Sequence, residues 1–96
     1  MNARDVESML LTRCTVVAGD AAQPAQDQRE ANVFRLAAMI VRSRFPRESR
    51  RLMHASDQYF AMHPDERLAP NDVVKNGWVF SVPRLRDMLN HQFSGH

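Results

Sequence analysis

His54 and Asp57 stand three residues apart, one helical turn, a spacing at which an imidazole and a carboxylate can share a hydrogen bond. Such a pair makes a general base useful only when a nucleophile lies within reach. Ser56 is adjacent in sequence but points to another side of the helix, and Cys14, the only cysteine, is remote. The consecutive carboxylates Asp65 and Glu66 could divide acid and base roles only if burial separated their pKa values. Directly after Pro64 they read instead as a turn or a helix start. The histidines show no metal spacing. His54 and His63 fall on opposite sides of one helix, and His91 and His96 belong to the tail. HExxH and paired-cysteine patterns are lacking, so the chain reads as noncatalytic, with neither cofactor nor metal.

Charge gives the stronger signal. Five of the twelve arginines, Arg42, Arg44, Arg47, Arg50 and Arg51, crowd a Phe45-Pro46 break between two helical patterns. Cations suit a helix C-terminus and not an N-terminus. Arg42 and Arg44 therefore fit the end of the first helix. Arg47, Arg50 and Arg51 oppose the start of the second, with Glu48 offering relief to Arg51 at three-residue spacing. Their complement is acidic: a carboxylate cluster on another protein, a phosphate, or acids of this chain such as Asp57, Asp65 and Glu66.

The elements that position these groups follow from apolar spacing. Val6, Met9, Leu10 and Arg13 mark one face of a helix over 3–17, with the β-branched stretch 12–17 open to a strand. Residues 19–28 have linker composition; Asp27 and Glu30 have capping-box spacing, and Pro24 offers another helix start. The strongest helix covers 27–44, with Val33, Phe34, Leu36, Ala37, Ile40 and Val41 inward and Asn32, Arg35, Arg42 and Ser43 on the remainder. Pro46 stops it and opens the next, 47–63, with Leu52, Met53, Ser56, Tyr59, Phe60 and His63 on one face. Arg47, Arg50, Arg51 and Asp57 form its back. Asn71 is placed to cap a short helix 72–76 that Gly77 stops. Ser81 is placed to cap a last one carrying Leu85, Met88, Leu89 and Phe93, and 94–96 form a frayed tail. Trp78–Phe80 is extended or turning. The expectation is an all-α, mostly helical single domain of three to five helices built on the long pair 27–44 and 47–63. Its generous apolar faces favour a homodimer.

At 96 residues the chain holds one modest core, and a net charge of +2 leaves any nucleic-acid attraction to local clustering. The lone cysteine rules out an internal disulfide and fits a reducing compartment. Residues 1–13 do not read as a signal peptide, and the run Leu36–Val41 is far shorter than the ~20 residues a membrane span needs. The expected location is cytoplasmic, with no membrane partner. A single lysine against twelve arginines suits a GC-rich, bacterial source as well as it suits a function.

These features favour a regulatory protein of inhibitor, antiactivator or adaptor type that binds another protein. The partner-binding residues expected are Arg47, Arg50, Arg51, Tyr59, Phe60 and Trp78, since aromatic and arginine side chains dominate interface energetics. The alternative is a small nucleic-acid-binding transcriptional regulator. Residues 71–90 resemble a helix-turn-helix in outline, with Gly77 at the turn. On that reading Arg42, Arg44, Arg47, Arg50, Arg51, Arg84 and Arg86 would meet phosphate. The segment departs from the motif at Trp78–Phe80, at Pro83 and at Asp87.

Overall fold

Three side chains close the starts of helices and so set the chain's punctuation. Asn2 accepts from the Asp5 amide, Asp27 from the Glu30 amide and Ser81 from the Arg84 amide. The computed structural model describes residues 2–20 and 23–95. Among these the architecture is all-α: α1 (Ala3–Gly19), α2 (Gln28–Val41), α3 (Pro46–Met62), a 3-10 turn (Pro64–Glu66), α4 (Pro70–Lys75) and α5 (Val82–Ser94).

Several boundaries differ from expectation for local reasons. The β-branched end of α1 is helical, with the Thr12 and Thr15 hydroxyls bonding back to the Ser8 and Leu11 carbonyl oxygens. Buried Cys14 and Val17 hold that turn against the core. Residues 42–44 are a turn rather than helix: Phe45 precedes proline, and the Arg44 and Phe45 amides share the Val41 carbonyl in a tightened last turn. α4 starts at Pro70, with Ala69 rather than Asn71 before it, since proline needs no donor at a helix start. Gly77 ends that region at φ 76°, left-handed backbone that suits glycine. Trp78–Phe80 is irregular, and no strand occurs among the described residues. Pro24 lies outside any helix. Part of the linker (Ala21, Ala22) and the tail residue His96 lie outside the described residues.

α2 is the centre, in contact with α1, α3, α4 and α5. Its broad apolar face is consumed within the chain: Val33, Phe34, Leu36, Ala37 and Val41 are buried. α2 and α3 run antiparallel in a register written by two hydroxyls. Ser49 donates to the Ala38 carbonyl at 2.7 Å and Ser56 donates to the Ala31 carbonyl at 2.7 Å. Two turns forward on α3 match two turns back on α2. Alanines and serines at the seam let the backbones approach closely enough for these bonds. α1 closes one side with Leu10, Leu11, Cys14 and Val17, and α5 contributes Leu85, Leu89 and Phe93. Phe93 meets Phe45 edge to face at 5.4 Å, fastening the α2–α3 corner to α5.

Buried polar groups complete the frame. Asn32, expected on the polar remainder of α2, is 2% exposed. Its amide nitrogen donates to the Gln28 and Glu66 carbonyl oxygens, and its oxygen accepts from the Leu68 amide. It thereby docks the 3-10 turn onto α2. Glu30 accepts both Arg13 Nε and Nη2 and also the Gln26 amide. Glu7 accepts the Phe80 amide at 2.7 Å and Arg84 Nε at 3.0 Å, joining α1 to α5.

Candidate functional site

The arginine corner begins with a steric fact. Proline forces the chain to leave α2 and restart as α3, so the end of one helix and the first turns of the next lie side by side. Arg42, Arg44, Arg47 and Arg50 are exposed there, and Arg51 is half-buried.

Arg51 has its complement within the chain. Its Nη1 donates to the Ala18 carbonyl oxygen at 2.7 Å. That carbonyl belongs to the last turn of α1, where unpaired oxygens and the helix dipole favour a cation. The charge that is misplaced on α3 is therefore well placed for α1. Arg44 rests over the Phe45 ring at 5.5 Å. Among the described residues no ion pair involves Arg42, Arg47 or Arg50. The acids proposed as cis partners are elsewhere: Glu66 pairs with His63 Nδ1 at 3.0 Å, and Glu48 forms no ion pair with Arg51.

Two concavities flank the corner. One, of about 320 Å³, lies between the end of α1 and the start of α3 and is lined by Thr15, Ala18, Gly19, Arg47, Glu48, Arg51 and Phe93. The other, of about 580 Å³, is the groove between α2 and α3, lined by Ala38, Met39, Arg42, Pro46, Ser49, Arg50 and Met53. Carboxylates are absent from the lining of the second. Met39 is 48% exposed, on a helix whose other large apolar residues are mostly buried.

The other expected contact residues have internal roles. Phe60 is 2% exposed, so it is a core residue and not a contact surface, with Arg67 covering its ring at 5.1 Å. Its position on the inward stripe with Leu52 and Ser56 carries that fate. His63, expected on the same stripe, is exposed beyond the helix end. Tyr59 is half-buried, donates to Glu66 Oε1 at 2.9 Å and stacks on His63 at 4.5 Å. Desolvation, then the hydrogen bond and charge of Glu66, hold its phenol above the ordinary value. Trp78 is half-buried against the core. Arg84 spans buried Glu7 and the Phe80 ring, at 5.2 Å from the ring, while Arg86 is exposed.

The described residues hold no cluster of three or more His, Cys, Asp or Glu suited to a metal ion. Cys14 is fully buried, and burial above all pushes its thiol from 9.0 up to about 12, so it is a poor nucleophile at neutral pH. No described helix is long and apolar enough to cross a membrane. Met39 and Met53 had a visible signal: each stands three residues from an arginine, Met39 before Arg42 and Met53 after Arg50. Antiparallel packing brings the two pairs to one groove. Comparison of the chain with family models, curated proteins and solved structures finds no match.

Proposed function

We propose that the protein is a noncatalytic regulator, of inhibitor, antiactivator or adaptor type, that binds another protein through the α2–α3 corner. One observation carries the reading: Arg42, Arg47 and Arg50 are exposed and, among the described residues, outside any ion pair, beside two concavities with the exposed Met39 in one of them. Arginine forks beside an adaptable thioether surface suit an acidic protein face with apolar anchors. The apolar faces that favoured a homodimer are largely covered by the chain's own helices. The reading takes a different protein as partner, in the cytoplasm, and holds for a monomer and for a homodimer alike.

The nucleic-acid reading draws on the same cations but loses part of its second set. Arg84, at the start of α5, directs its Nε to buried Glu7, and the segment 76–81 is tied to α1 through the Phe80 amide. A helix so anchored has one fewer free cation for phosphate.

The test is hydrodynamic mass together with retention on nonspecific duplex DNA across a salt series. The protein-binding reading predicts no retention even at low salt, and the hydrodynamic mass reports whether the chain forms the homodimer that its apolar faces favour. Steep salt-dependent retention, with slope about −0.9 per phosphate neutralised, would sink it if lost in Arg42→Ala/Arg47→Ala/Arg50→Ala.

A further inference from the structure

We infer that the α2–α3 groove takes an acidic amphipathic helix from a partner protein, carrying two carboxylates five residues apart on either side of an apolar anchor. This inference rests on the protein-binding reading of the corner and narrows it to one groove and one chemistry.

The geometry sets the spacing. Because Ser49 lies opposite Ala38 and Ser56 opposite Ala31, Arg50 falls level with Ala37, and Arg42 sits five residues nearer the corner. The offset along the helix pair is therefore about 7.5 Å, at about 1.5 Å per residue. Two acids at i and i+5 on a docked helix span the same distance and stand about 140° apart around it, one on each side of an apolar stripe. The two arginines project from opposite walls, so the occupant's acids must flank its apolar stripe rather than extend it. Between the cations lie Met39 and Pro46, with Met53 beyond, and these form an apolar bed for one or two large side chains. The floor makes no competing polar demand, since the Ser49 hydroxyl is already spent on the Ala38 carbonyl at 2.7 Å.

Charge selects the occupant. Neither wall supplies a carboxylate, and neither cation has an ion-pair partner among the described residues. A basic or purely apolar helix would leave both guanidinium groups facing apolar surface. An acidic one neutralises both guanidinium groups while its apolar stripe covers Met39 and Pro46. The opposite concavity is a poorer receptor for such a helix, because Glu48 lines it and Arg51 is engaged with the Ala18 carbonyl.

The experiment is fluorescence anisotropy of the full chain with a labelled, end-capped peptide of about twenty residues, long enough to hold helix on a surface. The probe carries a leucine stripe flanked by glutamates five residues apart; a Glu→Lys version and a duplex DNA oligomer serve as comparison probes. Binding by the wild-type chain that weakens about tenfold or more in Arg42→Glu/Arg50→Glu, and also weakens in Met39→Ala, supports the inference. Retained circular dichroism and thermal midpoint show that these exposed substitutions leave the fold in place. Loss of binding only in Arg47→Glu overturns the groove assignment and leaves the corner reading standing. Undiminished binding of the Glu→Lys peptide, or no binding of the acidic peptide at millimolar concentration, overturns the acidic-helix inference alone. Duplex DNA bound through the same arginines, with the peptide excluded, overturns both.

Discussion

Glu7 shows how a single side chain can organise distant parts of a small protein. It is 2% exposed, and its two oxygens are divided between the Phe80 amide and Arg84 Nε. Glu7→Ala removes the acceptor of an amide in an irregular loop and leaves a small void. The expected cost is about 2 kcal/mol, because Arg84 is half exposed and regains water. Hydrogen exchange at the Phe80 amide should quicken in that variant while the α2–α3 seam stays protected. Cys14 gives a second prediction at this scale. Below pH 9.0 the thiol is protonated in the folded and unfolded chain alike, so its contribution is constant. Above that, the unfolded chain ionises first, and stability falls as pH rises towards about 12. Urea midpoints from neutral to strongly alkaline pH should therefore fall faster for the wild type than for Cys14→Ala. Parallel curves would show that the thiol is not shielded.

At the scale of elements, the α2–α3 seam depends on small residues and two serines. Ser56→Ala changes the volume little but removes the donor to the Ala31 carbonyl, at an expected cost of about 1 kcal/mol. Ser56→Leu wedges the helices apart and should cost about 1–3 kcal/mol, read from denaturant midpoints. Asn32→Ala strands the Leu68 amide and frees the segment around the 3-10 turn, which should become the first site of proteolysis. Helices were legible because their signals are local. Asp27 and Ser81 cap as their types demand, Gly77 stops a helix, and Pro46 starts one. The roles of Glu7, Asn32 and Arg51 were not legible, because each finds its partner on an element far away in the chain. Helical periodicity placed Asn32 and Arg51 on polar faces, and tertiary pairing drew both inward. The same distinction divides the candidate site. The density of arginine was plain from composition, whereas the meeting of Met39, Arg42, Arg50 and Met53 required the antiparallel register.

For the whole molecule, the arginine corner resolves into three roles. Arg51 neutralises the end of α1, Arg44 covers an aromatic ring, and Arg42, Arg47 and Arg50 remain for a partner. A fold that ties its buried acids into internal bonds while leaving these cations open presents a positive corner on a chain of nearly balanced charge. Steering by that corner predicts partner association that slows as salt rises, with a weaker dependence than phosphate binding would give. The most direct test places a photo-crosslinking residue at Met39 in the native cell, with a second at exposed Asp87 on α5 for comparison. The account predicts a discrete protein adduct from Met39, absent from Asp87 and lost when Arg42→Glu and Arg50→Glu are added. A nuclease-sensitive adduct, the same adduct from Asp87, or none from Met39 would contradict it.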